Sequence, residues 1–198
     1  MTYWAFSALF NAIASGLLGV IVFIRNTSSQ LHISYARFCL TLFLWSISYF
    51  IWQISNSEGM ALFWLKILMA FAVFIPICYL DYVYIFLGEF KKYRLRIFLS
   101  YIFGGLSAYL CFTEYFVIGV EQKLVFKYWP TSGVLFLPFL IIWFCFIFLS
   151  IFSLIRKLSQ VKTEIQRNQI KYLLMATFIG SLGGATNYPL WFNIPILP

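Results

Sequence analysis

The sequence predicts an all-α fold: a polytopic transmembrane helix bundle of six spans with its N-terminus outside. Three observations carry this. The mean hydropathy is +0.89, and 63% apolar against 10% charged residues is a composition that polar surface cannot cover in water. Six segments have close to the roughly 20 mainly apolar residues that a hydrocarbon core demands. Finally, Lys and Arg are concentrated in alternate connections between those segments, the pattern that sets topology.

The first segment, Tyr3 to Ile24, lacks a basic leader and has an apolar core too long for a signal peptide, and Arg25 follows that core. It reads as a retained span inserted N-terminus outward. The second, Phe38 to Ile54, is short and begins in the approach from Tyr35 to Arg37. Ala61 to Leu87 is long and contains Pro76, which predicts a kink. Ile97 to Val117 follows a basic run of Lys91, Lys92, Arg94 and Arg96. The connection from Ile118 to Gly133 is rich in Val, Phe, Tyr and Trp between Gly119, Pro130 and Gly133, which predicts a small hairpin over the helices. In the fifth segment, Val134 to Ile155, helical spacing continues through Leu154, Leu158, Val161 and Ile165, so this helix is expected to run past the bilayer. Thr163 with Gln166 reads as a capping box that restarts the chain near Glu164, ahead of the sixth span from Ile170 to Trp191.

Orientation follows from the basic residues. The first, third and fifth connections hold Arg25, Arg37, Lys91, Lys92, Arg94, Arg96, Arg156, Lys157, Lys162, Arg167 and Lys171, against Lys123 and Lys127 in the second and fourth. The odd connections are therefore expected in the cytoplasm. Trp4, Trp52, Trp64, Trp129 and Trp191 fall near outer span ends as an interfacial belt, leaving Trp45 and Trp143 as mid-span exceptions. The net charge of +8 is accounted for by anionic lipid headgroups rather than nucleic acid. Cys39, Cys78, Cys111 and Cys145 are scattered without ligand or disulfide spacing.

Helices in lipid gain little from apolar burial, so small residues that permit close approach are informative. Ala176, Gly180, Gly183 and Gly184 form such a face in the sixth span, and Ser100, Gly104 and Ala108 one in the fourth. The first face is expected to pack within the chain, with dimerisation as the other reading. Two ionisable residues lie inside spans, Lys66 and Asp81, and such residues are functional candidates because they are costly in hydrocarbon. Lys66 is within reach of the outer headgroups by snorkelling. Asp81 lies about 22 Å further along the helix, where its partner is a tyrosine hydroxyl, an amide or a cation. A structural hydrogen bond and a role in ligand binding or switching are both open to it. His32, the sole histidine, has no neighbouring carboxylate or second histidine, so no metal set, cofactor site or catalytic pair can be assembled.

These residues together carry a resemblance. The run RNQIKYLLMATFIG into GGATNYPLWFNIPILP resembles the close of the N-terminal seven-transmembrane sensor region of bacterial histidine kinases and related signalling proteins. Gln169, Gly180, Gly183, Gly184, Asn187, Pro189 and Pro195 take the matching positions, with Asn187 and Pro189 one residue closer than the family's spacing; YWPTSG and FWLKI fit loosely. The resemblance spans nearly the whole chain. It implies a bacterial cytoplasmic-membrane protein in a two-component system, with a seventh span after Pro198 leading to a cytoplasmic part that dimerises and bears the kinase activity. For this chain it implies reception of a small or lipophilic ligand and no catalysis. Asp81, Trp64, Tyr128, Trp129, Asn187 and Trp191 are the candidate ligand residues, with Trp52 as a further wall. A small-solute transporter subunit, with a site between two three-helix halves broken at Pro76 and Pro189, is the alternative. A non-catalytic membrane partner packing through Gly180 and Gly184 is a third reading.

Overall fold

The computed structural model describes residues 2–197, so Pro198, after which a seventh crossing is expected, lies outside the described residues. Within them the chain is mostly helical. The helices are α1 (Tyr3–Arg25), α2 (Gln30–Gln53), α3 (Glu58–Phe86), α4 (Phe90–Leu110), α5 (Phe136–Leu158) and α6 (Glu164–Ala185). An antiparallel hairpin, β1 (Val117–Lys123) with β2 (Phe126–Ser132), separates α4 from α5, and a 3-10 turn at Pro189–Phe192 follows α6.

By length and composition α1, α2, α3 and α5 are able to cross a membrane. The other two open on charge: α4 with Lys91, Lys92, Arg94 and Arg96, α6 with Glu164, Arg167 and Lys171. This dilutes their apolar length.

Several boundaries differ from the sequence reading. The second helix begins at Gln30, so His32 and Arg37 are helical residues rather than loop residues. No Pro or Gly interrupts QLHISYAR, and Asn26 Oδ1 accepts from the amides of Ser28 and Ser29 to close the preceding turn. The basic run Lys91 to Arg96 is likewise the first turns of α4. The sixth helix stops at Ala185, short of Trp191, and Pro189 opens the separate 3-10 turn. Thr163 occupies the N-cap of α6 as its spacing suggests, but its hydroxyl meets Gln166 Oε1 at 3.0 Å and no backbone amide. Neither backbone bond of a capping box is formed among the described residues.

The bundle centres on α3, which packs against α2, α4 and α5 and buries Leu65, Val73, Ile77, Leu80 and Tyr84. It ends on Gly88 at φ +71, which lets the amide of Glu89 reach the carbonyl of Tyr84 at 2.8 Å. Helix α1 buries only small residues, Ala5, Ala8, Ala12, Ser15 and Gly19. A Cβ on Gly19 would stand 3.0 Å from Cys39 Cβ, so this stripe is what brings α1 close to α2. Its outer face, including Phe10, Leu17 and Ile24, is bare, as a lipid-facing surface would be. The α6 face is different. Ala176, Gly180 and Gly183 are exposed and Gly184 half-buried, and no neighbouring atom comes within 4 Å of a Cβ placed on any of the three glycines. The expected packing of that face within the chain is absent among the described residues. Instead α6 is held by its contact with α5, by Ile170, Leu173 and Leu174 against the core, and by a bond between Tyr79 and Thr177, with Tyr49 bonded to Asn187 just past its end.

Candidate functional site

The chain builds two polar stations at opposite ends of the bundle. One is a cap formed where the hairpin lies on the ends of α1, α2 and α3 and on the 3-10 turn. It starts from a tight crossing. A Cβ on Gly133 would meet the Tyr115 carbonyl oxygen at 2.2 Å, so only glycine lets β2 leave the hairpin this close to the chain that enters it. Trp129 is fully buried beneath, 4.4 Å from Phe126 and 5.2 Å from Trp52 between ring centroids. Trp191 stacks on Phe136 at 4.1 Å and 5°. Through these rings the hairpin packs onto the helix ends and the 3-10 turn.

Polar bonds fix its register on the helices. Trp52 Nε1 donates to the Tyr128 carbonyl at 2.9 Å, and the Tyr128 hydroxyl donates to the Asn56 carbonyl at 3.2 Å. Lys123, buried, donates to the carbonyls of Pro130 at 3.0 Å and Leu190 at 3.4 Å, while Ser132 Oγ donates to the Trp191 carbonyl at 3.3 Å. Hairpin, 3-10 turn and α6 exit are therefore one connected piece. Between the hairpin and the α2–α3 turn lies a cleft of about 440 Å³ with a mixed lining that includes Trp52, Gln53, Asn56, Lys127 and Tyr128. Its mixture of ring faces, amide groups and a cation suits a small amphipathic molecule.

The Thr131 hydroxyl, 2.9 Å from Glu121 Oε1, and the Lys123 ammonium at 3.3 Å hold the Glu121 carboxyl below its ordinary range. A carboxyl depressed on folding stabilises above its unfolded value, and that contribution is lost as pH falls through the folded one. The hairpin is therefore expected to loosen below about pH 4. Tryptophan emission followed during acidification checks this, and Glu121→Gln is expected to flatten the profile; an unchanged acid transition in that variant would show the contact to be inert.

The second station joins three helices. Arg37 Nη1 on α2 lies 2.6 Å from Asp81 Oδ2 on α3, and the Tyr101 hydroxyl on α4 donates to the same oxygen at 3.2 Å while accepting from Arg37 at 3.1 Å. The Asp81 side chain is 3% exposed and that of Arg37 44%. The carboxylate is sealed inside the bundle while its cation reaches toward the surface. Among the described residues Asp81 Oδ1 accepts no bond.

The predicted residues therefore divide. Tyr128 lines the cleft, with Trp52 beside it. Trp129 and Trp191 belong to the packed floor of the cap. Asn187, just past the end of α6, accepts from Tyr49 of α2 at 3.3 Å. Trp64 is half-buried on α3, edge-on to Phe63 at 5.8 Å, away from the cleft lining. Asp81 belongs to the other station. Lys66 donates to the Phe112 carbonyl at 3.1 Å and so pins the α4 exit. Sequence reasoning missed Lys123, Gln53 and Lys127 in the cap and Arg37 and Tyr101 in the ion pair. Only Arg37 carried a usable signal, as a cation on the approach to a span.

Apolar helices around a charged, three-helix junction, closed at one end by an aromatic cap, define a multi-helix membrane region. The chain belongs to the family described as the N-terminal 7TM region of histidine kinase, whose sequence model matches residues 7–197. Comparison with curated proteins and with solved structures gives no match.

Proposed function

We propose that this chain is the signal-receiving membrane region of a bacterial two-component histidine kinase, with six spans, its N-terminus outside and the outer cleft as its ligand site. The basic residues support that orientation, since Lys91 to Arg96, Arg156, Lys157 and Lys162 would then face the cytoplasm. One observation carries the reading beyond family membership. Helix α2 holds both stations, with Trp52 and Gln53 at the cleft and Arg37 at the ion pair. These lie about 24 Å apart along one helix axis.

A small or lipophilic ligand engaging the cleft favours one placement of α2 against the hairpin, and a rigid helix conveys that displacement to the Arg37–Asp81–Tyr101 junction. The ligand must bind one arrangement better than the other, because equal binding shifts nothing. A charge pair sealed on one side and open on the other suits a two-position junction. The output is phosphorylation by the kinase part of the full-length protein, which is expected to be a homodimer. The transport reading is weaker here: α3 runs unbroken through Pro76, so the paired broken helices it needs are not formed.

The test uses the full-length kinase in inside-out and right-side-out vesicles. Filling the cleft with Gln53→Trp is expected to change basal autophosphorylation by about tenfold or more, the range typical of a coupling free energy. A cysteine at Lys127 should react with an impermeant maleimide only from outside, and one at Lys162 only from inside. Reversed labelling would refute the orientation, and an unchanged output with correct labelling would refute the cleft.

A further inference from the structure

A third feature lies on the lipid-facing side of the bundle, apart from both stations. Helices α4 and α5 each pack on α3, and between them runs a groove of about 520 Å³ walled by Leu95, Leu99, Phe103, Ile142 and Phe146. Its residues from Arg96 to Phe103 span about 10 Å of helix. At the α3–α4 end of this apolar wall stands Arg96. The guanidinium is positioned rather than loose: Nη1 donates to the Tyr84 hydroxyl at 3.0 Å, and the group lies 4.9 Å from the centre of the Tyr93 ring. Tyr93 in turn stacks on Tyr84 at 4.4 Å.

What Arg96 lacks is an anion. Among the described residues no carboxylate comes within ion-pair distance of it, because the nearby acid, Glu89, is engaged by Arg156 and approached at 4.0 Å by Lys157. Lys92 and Arg156 also lie over the Tyr93 ring, 5.2 and 6.0 Å from its centre, and Lys92 adds to the positive field. A fixed, uncompensated guanidinium at the mouth of an apolar groove has the polarity of one amphiphile. It offers charge-assisted hydrogen bonds to a phosphodiester and a hydrocarbon wall to the chain below it.

We propose that the α4–α5 groove is a binding site for an anionic phospholipid, with the phosphate on Arg96 and an acyl chain against Leu99, Phe103, Ile142 and Phe146. A zwitterionic lipid fits less well, since its headgroup brings a second cation to the same corner. A helix of a second copy is the rival occupant.

Native mass spectrometry of the full-length protein titrated with phosphatidylglycerol or phosphatidylcholine tests the site. Wild type is expected to retain phosphatidylglycerol in preference to phosphatidylcholine. Loss of a charged hydrogen bond in Arg96→Ala lowers that retention by about tenfold. Arg94→Ala makes the same change of net charge at an exposed residue outside the groove lining and should leave retention within about twofold. Leu99→Trp, at an exposed wall position, fills the groove and should displace the lipid without lowering the unfolding temperature, which covers the case of an Arg96 variant that folds poorly. Equal retention of the two lipids, equal loss in the Arg94 and Arg96 variants, lipid retained in Leu99→Trp, or a dimer that excludes lipid would each overturn the assignment.

Discussion

Trp143→Phe is expected to destabilise the bundle by about 1–2 kcal/mol, through one hydrogen bond more than through lost packing. Pro76 has no amide proton to give to the carbonyl four residues earlier, which in α3 is that of Ala72. In hydrocarbon no water satisfies such a carbonyl. The structure supplies a substitute from another helix: Trp143 Nε1 on α5 donates to the Ala72 carbonyl at 3.0 Å, and the indole is buried. Interhelical bonds in membranes average only about 0.6 kcal/mol, since the separated helices find other partners. At Ala72 the amide that would compete is removed by Pro76, which puts this bond above that average. Phenylalanine keeps most of the ring and removes the donor. The diagnostic is a double-mutant cycle in reversible unfolding from detergent. Pro76→Ala restores an amide at residue 76, so Trp143→Phe should cost distinctly less in that background, with a coupling of about 1 kcal/mol. Additive costs would show that the indole acts by packing alone.

The second large effect is an asymmetry. Removing one member of a buried ion pair costs about 3–5 kcal/mol when the survivor is left uncompensated. Arg37→Met strands a carboxylate that is 3% exposed, with only the Tyr101 hydroxyl remaining to it. Because Arg37 itself is 44% exposed, solvent screens part of the loss and the expected cost is about 2–4 kcal/mol. Asp81→Asn strands only a half-exposed guanidinium that snorkels outward while the amide oxygen keeps a hydrogen bond, so its cost is expected at about 1 kcal/mol. The double variant should recover most of what Arg37→Met loses. Unfolding midpoints of the three proteins decide the matter, and equal destabilisation by the two single variants would contradict the geometry.

Legibility in the sequence varied with the range of the interaction. The hairpin between α4 and α5 was readable because Gly119, Pro130 and Gly133 bracket residues that favour strands. The aromatic identity of the cap was readable for the same local reason. Trp143 was visible only as an exception to the interfacial belt, since its purpose is set by Ala72, 71 residues away. Small residues misled most. The glycine spacing in α6 is conspicuous in the sequence, yet the close approaches are made by α1, whose Ala5, Ala8, Ala12, Ser15 and Gly19 are spread over one helical face, and by the predicted face of α4, where a Cβ on Gly104 would stand 2.8 Å from the Phe74 ring. A spacing of small residues says that a helix is able to approach another and leaves open which helix does so.

Hydropathy, charge placement and turn residues are properties of single segments, so the sequence by itself determined a helical membrane protein, the approximate extent of its helices and the cost of an acid at Asp81. The pairings needed the fold. Arg37 with Asp81, Lys123 with the Leu190 carbonyl, and Arg96 with the Tyr84 hydroxyl join segments whose relative rotation no local pattern records. In lipid, where burial of apolar side chains hardly distinguishes one rotation from another, packing and a few polar bonds decide it.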